Sequence, residues 1–249
     1  SRLVNNSTAR QKFVKSILSF LKKYKFDGLD LDWEYPKCWQ TACTKGPDSD
    51  KKAFAQLTKE LKDAFKPHNL LLTAAVSPSM KVINQGYEVP TLAENLDYIN
   101  LMAYDYHGAW EKFASHHSPI YPRVESKEFD PNDHEFNVNT SVSHWLKLGM
   151  PAKKIILGVP FYGRSFYLEK PADSYKTFGF GEKARSGGEA GLFTREKGYL
   201  AYYEICKGLK DKSWTKHRDH QSKLAFATKS NQWVGYDDIQ AMREKSEFI

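Results

Sequence analysis

Residues Phe26 to Pro36 read Phe-Asp-Gly-Leu-Asp-Leu-Asp-Trp-Glu-Tyr-Pro, so carboxyl groups alternate with large apolar side chains. Successive side chains on a β-strand point to opposite faces, which places Asp30, Asp32 and Glu34 together on one face. They would follow one another at intervals of about 6.6 Å, twice the rise of one residue. No lysine or arginine lies within the stretch. Because clustered carboxyl groups raise one another's affinity for protons, the row is a candidate active site.

Two other interpretations fit parts of this pattern. Acidic residues that alternate with apolar ones are also typical of a strand with one face in water and no catalytic role. A calcium-binding EF-hand loop is a poorer match, because it needs a glycine at its sixth position and a polar, bendable loop.

Length and composition indicate a globular protein. With 249 residues, of which 41% are hydrophobic and 14% aromatic, the chain can bury a sizeable core. The net charge is +7, but the basic residues are dispersed among acidic ones, so we expect no nucleic-acid partner. No run approaches the roughly 20 apolar residues of a membrane helix, so we expect no membrane partner. The sequence starts at Ser1 without a signal peptide, which suggests a processed or incomplete chain.

Three cysteines are informative by position. Cys38 and Cys43 flank a short loop directly after the acidic strand, a spacing that a local disulfide can close. No second pair completes a zinc site, and we expect neither a metal nor a cofactor. Cys206 is left over, either as a free thiol or with a partner outside this chain. Glycosylation sequons, which are compatible with a secreted glycoprotein, begin at Asn5, Asn6 and Asn139.

Helix and strand patterns alternate along the first two thirds of the chain. Apolar residues at helical spacing predict amphipathic helices, the first of them capped by Ser7 or Thr8. Short apolar runs between the helices predict buried strands. Helices are predicted over 8–24, 50–65, 91–95 and 142–148, and strands over the acidic stretch, 70–76, 98–104 and 154–161. This alternation predicts a parallel sheet with helices outside it.

The pattern changes after Gly163. Residues 166–232 are rich in glycine, lysine and aromatic residues, which predicts an inserted α+β unit with one helix over 199–207. From Trp233 the alternation resumes, with a helix beginning near Asp238. We therefore predict three segments, 1–165, 166–232 and 233–249.

Chemically unusual residues occur where the predicted parallel strands end. Glu34 follows the first strand, and Tyr104 and Asp105 end the third. Tyr162 and Arg164 follow the fourth. Because the catalytic groups of an α/β barrel gather at the carboxyl ends of its strands, this distribution favours a catalytic role for them.

The motifs around these residues closely resemble those of the family 18 glycoside hydrolases, the chitinases. Asp27-x-x-Asp30-x-Asp32-x-Glu34 is similar to the family signature, and Met102-x-Tyr104-Asp105 is similar to its next motif. Tyr162-Gly163-Arg164-Ser165-Phe166 is similar to the motif after that. The motifs occur in family order over essentially the whole chain, and the loops around them look most like the large multi-domain arthropod chitinases.

The resemblance implies a (β/α)8 TIM barrel, of which this chain holds a part with an inserted α+β subdomain. Segment 1–165 would be the central part of the barrel, strands four to seven. Segment 166–232 would be the insertion, and 233–249 would return to the barrel before a last strand beyond Ile249. The partner of Cys206 would also lie outside the chain. Because a partial barrel exposes sheet edges, we expect the isolated chain to be unstable and inactive.

The resemblance also implies a retaining, substrate-assisted mechanism in which the N-acetyl group of the sugar is the nucleophile. Glu34 would be the general acid and later the general base. Asp32 would accept the acetamido N–H, and Asp30 would share a proton with Asp32. Tyr104 would donate to the acetamido carbonyl. Further substrate contacts would come from Met102, Asp105, Trp110, Tyr162 and Arg164.

The function implied is endo-type hydrolysis of β-1,4-linked N-acetylglucosamine polymers by a secreted, extracellular enzyme, with chitin or its oligomers as the partner. Two alternatives remain open. One is a chitinase-like lectin that binds the sugar without cleaving it, and the other is an endo-β-N-acetylglucosaminidase. The lectins typically lack the acid, whereas Glu34 is present here with the other site residues, so the enzyme is favoured.

Overall fold

The computed structural model describes residues 1–123 and 135–249, which divide into two compact units. Unit 1 comprises Ser1–Met102 and Ser141–Gly158. Unit 2 comprises the described residues of Ala103–Thr140 and Val159–Ile249. Each unit is built on a β-sheet of its own.

Helices and strands alternate up to residue 158, as predicted. The helix α2 buries the apolar stripe formed by Phe54, Leu57, Leu61 and Phe65, because these residues recur every three or four positions. The helices are α1 (Ser7–Tyr24), α2 (Ser49–Phe65), α3 (Met80–Gly86), α4 (Val89–Asn95) and α5 (Val138–Lys147), and the strands are β1 (Gly28–Asp32), β2 (Leu71–Val76), β3 (Tyr98–Leu101) and β4 (Ile155–Leu157).

The start of α1 differs slightly from the prediction. Asn6, not Ser7 or Thr8, is the cap, because its Oδ1 accepts the Ala9 N–H at 2.9 Å. Asn6 keeps an extended backbone, with φ −118° and ψ 114°, whereas the helix already includes Ser7. The N-cap of α1 therefore lies one position before Ser7, the earlier of the two predicted caps.

The sheet of unit 1 is parallel, with strand order β1-β2-β3-β4. Alternate residues of β2, namely Leu72, Ala74 and Val76, are fully buried, as are Ile99 and Leu101 of β3. The prediction of a parallel sheet is confirmed, and β2 and β3 bury alternate residues, whereas β4, predicted to be buried, lies at the edge of the sheet and has no buried residue. Its strands bring the acidic stretch next to β2 in a register that pairs Asp30 with Thr73.

Unit 2 is built on an antiparallel sheet of order β6-β5-β10-β9-β8, with β7 also paired to β5. Both faces of β10 are buried: Trp233 packs with Phe166 on one face, and Val234 packs with Ile205 on the other. The elements are β5 (Tyr162–Leu168), β6 (Ala184–Gly187), β7 (Tyr199–Ala201), α6 (Tyr202–Lys210), β8 (Thr215–Asp219), β9 (Leu224–Lys229), β10 (Gln232–Tyr236) and α7 (Ile239–Phe248).

The largest departure from the sequence prediction lies around Pro160. The strand predicted over 154–161 ends at Leu157, and the chain enters β5 of the antiparallel sheet at Tyr162. Proline has no N–H to donate to a strand ladder, which explains the break. Tyr162 and Arg164 therefore follow the parallel strand β4 only after a break, and both lie inside the antiparallel strand β5.

The two units also differ in their bounds from the three predicted segments. The strand β5 crosses the predicted boundary at 165/166, because it pairs with β10 along Gly163 to Tyr167. Residues 233–236 belong to that same antiparallel sheet, and the helix predicted near Asp238 begins at Ile239. In the predicted helix over 199–207, the first three residues are β7.

The residues that the structure describes form an open parallel sheet and an antiparallel sheet, without a closed barrel. Of the predicted partial barrel, the structure thus confirms the four-stranded parallel sheet. Across 1–123 and 135–249, every helix is too short or too polar to span a membrane.

Candidate active site

The acidic stretch forms β1 and the turn that follows it. Asp30 and Asp32 are exposed, the alternating Leu29 and Leu31 are half-buried, and Glu34 is exposed two residues past the strand end. The predicted alternation of faces is therefore confirmed, although Glu34 lies beyond the ladder. The peptide bond that follows Glu34 is cis.

Asp30 is held by two uncharged donors from the neighbouring strands. The Thr73 hydroxyl donates to Asp30 Oδ1 at 2.5 Å, and the Asn100 amide donates to the same oxygen at 2.9 Å. Sequence reasoning missed both residues. The sequence carried one signal for them, because each is a single polar residue within an apolar strand. A polar side chain in such a strand needs a hydrogen-bond partner, which a neighbouring strand can supply.

Buried hydroxyl groups lie beside Glu34. Tyr35 is 7% exposed, and burial raises the pKa of its phenol, an effect that the nearby Glu34 carboxylate increases. The Ser77 N–H donates to the Tyr87 hydroxyl at 3.3 Å, and burial also raises the pKa of Tyr87. Both phenols therefore stay protonated and can act as hydrogen-bond donors. Neither tyrosine nor Ser77 was singled out from the sequence.

The loop after Glu34 is closed by the predicted disulfide between Cys38 and Cys43, with Cα atoms 3.7 Å apart. The fully buried Asp50 carboxylate anchors this loop, because Trp39 Nε1 donates to it at 3.2 Å and the Lys37 N–H donates at 3.3 Å. Its other oxygen accepts from Asn5 Nδ2 at 2.6 Å and from the Ser1 hydroxyl at 2.7 Å. One carboxylate thus ties the N-terminus to the disulfide loop.

Met102, a predicted substrate-binding residue, is the last residue of the first segment of unit 1. It is half-buried just after β3, and its N–H donates to the Val76 carbonyl at 3.1 Å. Continuation of the ladder beyond Leu101 thus fixes the Met102 backbone.

The remaining predicted residues form a cluster in unit 2. Arg164 Nε donates to Asp105 Oδ1 at 2.8 Å. The guanidinium carbon lies 5.2 Å from the ring centroid of Trp110 and 5.5 Å from that of Tyr162. The Tyr104 ring lies edge-on to Tyr162, with centroids 6.2 Å apart. Sequence reasoning selected all five residues, and the fold brings them together.

Two residues of this cluster were missed. Tyr199 stacks on Tyr162 with centroids 5.0 Å apart, and its ring also lies 5.6 Å from the Arg164 guanidinium. The buried His117 contacts Asp105 and the Tyr162 carbonyl. No secondary structure was predicted around His117, so the sequence offered only the His-His pair at 116–117 as a signal.

Charge and burial act together on this cluster. Burial would raise the pKa of Asp105, but the Arg164 guanidinium, which donates to the carboxylate, holds that pKa well below its ordinary value. Burial raises the pKa of Tyr162, and the Asp105 carboxylate raises it further. At neutral pH the cluster therefore presents a carboxylate, a guanidinium and a phenol hydroxyl, all groups that bind sugar hydroxyls and amides.

The sequons occupy different local structures. Asn5 bonds to Asp50 and Asn6 caps α1, so a glycan on either would replace a structural contact, whereas Asn139 lies in the first turn of α5. Cys206 is a free thiol in the described part of the chain. No three His, Cys, Asp or Glu side chains within 1–123 and 135–249 are placed to hold a metal ion.

This chain matches one protein-family model and several known proteins. Residues 1–249 match the model of Glycosyl hydrolases family 18. The chain is 44% identical over 250 residues to "Probable chitinase 10" of Drosophila melanogaster, a match that covers 100% of this chain and 10% of that protein. A mutant of catalytic domain 2 of Ostrinia furnacalis Group II chitinase, solved in complex with penta-N-acetylchitooctaose, is 50% identical with a TM-score of 0.91. That match covers 99% of this chain and 62% of the solved chain.

A third relative differs in activity. Human YKL-39, a pseudo-chitinase with retained chitooligosaccharide binding properties, is 37% identical with a TM-score of 0.86 over 99% of this chain and 65% of its own. The chain thus spans less than two thirds of the length of each of these relatives. The family match over all 249 residues confirms the resemblance seen in the three motifs, and this chain belongs to family 18 of the glycosyl hydrolases.

Proposed function

We propose that the protein hydrolyses β-1,4-linked N-acetylglucosamine polymers by endo-type cleavage. The observation that carries the proposal is the exposed Glu34 at the end of a strand whose carboxylates Asp30 and Asp32 are also exposed. A proton donor for a glycosidic oxygen has to reach the substrate, and a buried acid could not. The named chitinases among the relatives support the same substrate class.

The mechanism we propose is substrate-assisted and retaining. Glu34 protonates the glycosidic oxygen while the carbonyl oxygen of the sugar's own acetamido group attacks the anomeric carbon, so the glycosidic C–O bond breaks, the rest of the chain leaves as an alcohol and an oxazolinium ion forms. Asp32 accepts the acetamido N–H and stabilises the positive charge of that ion. Glu34, now a carboxylate, then takes a proton from water, which attacks the anomeric carbon and restores the original configuration.

Asp30 supports Asp32 in this scheme. Thr73 and Asn100 bind Asp30 through uncharged groups, so they orient the carboxylate without neutralising its charge. Asp30 can then share a proton with Asp32. Tyr104 donates its hydroxyl to the acetamido carbonyl and aims it at the anomeric carbon.

The other site residues bind the substrate in this proposal. Asp105, Arg164 and Tyr162 hydrogen-bond sugar hydroxyl and acetamido groups. Met102 packs beneath the acetyl methyl group. Trp110 is 60% exposed, so its flat ring is available to stack on the C–H face of a sugar.

The setting of the site follows from the family. We propose that β1 to β4 are strands four to seven of a (β/α)8 barrel, as in the family 18 relatives. We also propose that the protein is secreted, because the Cys38–Cys43 disulfide is of a kind that persists in oxidising compartments.

Substitution of Glu34 tests the proposal. In the protein expressed from its complete open reading frame, Glu34→Gln should lower the kcat for N-acetylglucosamine oligomers roughly 10²–10⁴-fold while the Kd of a bound oligomer changes little. Glu94→Gln is the matched control, because Glu94 is an exposed glutamate of the same unit. Retained turnover in Glu34→Gln would contradict the assignment of the acid.

The wild-type protein separates this proposal from its two rivals. Oligomer binding without turnover would indicate a lectin, the behaviour named for YKL-39. Release of glycans from high-mannose glycopeptides, without cleavage of chitin oligomers, would indicate an endo-β-N-acetylglucosaminidase.

A further inference from the structure

His117 links the two segments of unit 2 that carry the proposed sugar contacts. Its Nδ1 lies 3.4 Å from the backbone nitrogen of Asp105, which donates to it. Its Nε2 lies 3.2 Å from the carbonyl oxygen of Tyr162. The side chain is fully buried, and its ring packs 5.0 Å from the ring of Tyr162. The imidazole is therefore fixed on both edges and on one face.

These contacts identify the tautomer of His117. A carbonyl oxygen only accepts hydrogen bonds, so Nε2 must carry the proton. The Asp105 N–H only donates, so Nδ1 must be the unprotonated nitrogen. The distance of 3.6 Å from Nδ1 to Asp105 Oδ1 is too long for a hydrogen bond, in agreement with this choice. Burial lowers the pKa of His117, which also favours the neutral ring.

Asp105 needs such support because its backbone is in the left-handed region, with φ +59°. Residues other than glycine adopt this conformation less readily than the right-handed one, because Cβ comes close to the following carbonyl oxygen. His117 makes two hydrogen bonds to this turn. Its side chain accepts the Asp105 N–H, and its backbone carbonyl accepts the Tyr106 N–H at 3.0 Å. In this conformation the Asp105 carboxylate accepts from Arg164 at 2.8 Å.

Charged groups surround His117 on several elements. Asp105 and Arg164 lie on the side of the proposed sugar contacts. On α7 and the residues before it, Lys245 pairs with Asp237 at 2.5 Å, and both influence His117 electrostatically. Ser118 donates to Asp237 at 2.5 Å, and His116 is the adjacent buried imidazole. Protonation of Nδ1 would remove the acceptor of the Asp105 N–H and place a donor near the oxygen that Arg164 uses.

We propose that His117 is a positioning residue, whose neutral imidazole holds the Asp105 turn so that the Asp105 carboxylate binds Arg164 and the pair is ready for the substrate. The proposal rests on the proposed function in one respect, the contact of Asp105 and Arg164 with the sugar. His117 itself touches no substrate and acts through Asp105 and through the Tyr162 backbone.

Three substitutions separate the contacts of His117. His117→Phe keeps a ring against Tyr162 but removes both nitrogens, so the KM for N-acetylglucosamine oligomers should rise at least about tenfold with a smaller change in kcat. His117→Asn can place an amide oxygen near the position of Nδ1 and should recover most of the loss. His117→Gln places its amide nearer the position of Nε2 and should recover less. His220→Phe is the matched control, because His220 is exposed in the same unit.

The pH dependence supplies a readout that loss of packing alone would not change. The wild-type KM should rise on acidification only well below the ordinary histidine pKa of about 6.5, because burial lowers the pKa of His117 and Nδ1 gains its proton there. His117→Asn should lack this rise. Equal KM values for the wild type and His117→Phe, or equal damage in His117→Asn and His117→Phe, would overturn the proposal.

A crystal structure of the His117→Phe protein gives a test that needs no activity. The Asp105 turn should relax to negative φ, and the bond between Asp105 and Arg164 should be lost. An unchanged turn and an unchanged bond would refute the positioning role even in an inactive protein. If His117→Phe does not fold, the structures of the Asn and Gln variants decide, since only the Asn variant should keep the turn. A wild type that cleaves no oligomer, with the turn lost in His117→Phe, would refute the proposed function alone.

Discussion

The two units hold their important carboxylates in opposite ways. In unit 1, Asp30 accepts from the uncharged Thr73 and Asn100 and remains exposed. In unit 2, Asp105 is bound by the guanidinium of Arg164 and lies among aromatic rings. Uncharged donors orient a carboxylate without cancelling its charge, whereas a guanidinium cancels it. In the proposed mechanism, the carboxylates of unit 1 keep their negative charge for the reaction, and the neutralised Asp105–Arg164 pair of unit 2 binds the substrate.

Removal of one charge from unit 1 should have the largest effect. Asp32→Asn should lower kcat for N-acetylglucosamine oligomers roughly 10²–10³-fold, because the oxazolinium ion loses its stabilising charge. KM should change little. Steady-state kinetics of Asp32→Asn will check this, with Asp173→Asn, a substitution in the short 3₁₀ turn after β5, as the control. A kcat within threefold of wild type would break the distinction between the units.

Substitution of Lys245, the buried lysine of unit 2, should have the next largest effect, which is on the free energy of unfolding. Lys245 and Asp237 are each 1% exposed, so Lys245→Met leaves a buried carboxylate without its cation and should cost about 3 kcal/mol. Lys154 of unit 1 donates instead to the carbonyls of Ala93 and Leu96, both at 2.7 Å. Lys154→Met should cost only about 1 kcal/mol. Urea unfolding of both variants measures the difference, and equal losses would contradict it.

A smaller effect is expected when Arg164 changes to lysine. The charge beside Asp105 is kept, but the planar guanidinium that lies against Trp110 and Tyr162 is lost. We expect KM to rise about tenfold with kcat nearly unchanged, as for a group that binds substrate and transition state alike. If kcat falls as steeply as in Asp32→Asn, the units do not divide binding from chemistry in this way. Arg185→Lys is the control, since the Arg185 side chain is exposed.

The smallest effect concerns pH and the buried histidines of unit 2. Burial lowers the pKa of His116 and of His117, so both stay neutral in the folded protein after the unfolded chain has taken up protons. Stability should be unaffected above about pH 6.5 and should fall below it by about 1 kcal/mol per histidine per pH unit. Urea unfolding at pH 7.5 and 5.5 should show a shallower loss for His117→Asn. His68→Asn, an exposed position of unit 1, should follow the wild type.

Much of unit 1 was predictable because its signals are local. Helical spacing in α2 and the alternation in β1 follow from which side chains must leave water. The antiparallel sheet was not predictable in the same way. The strand β5 pairs with β10, which lies some 70 residues later in the chain. The order of polar and apolar residues within either strand does not indicate which strand it pairs with. For the same reason the sequence did not show that Tyr162 and Arg164, which follow the parallel strand β4, belong to an antiparallel strand.

The candidate site shows the same division between its residues. Asp30, Asp32 and Glu34 could be found because they lie in one short motif. Thr73, Asn100 and His117 could not, since each is an ordinary polar residue until the fold brings it to a carboxylate.

The sequence by itself determined the chemical groups, their order along the chain and the family. These depend on residue identity and spacing, which the chain carries before it folds. Only the tertiary structure decided which carboxylate meets an uncharged donor and which meets a guanidinium. That choice depends on pairing between residues far apart in sequence, and burial then decides the strength of each electrostatic contact.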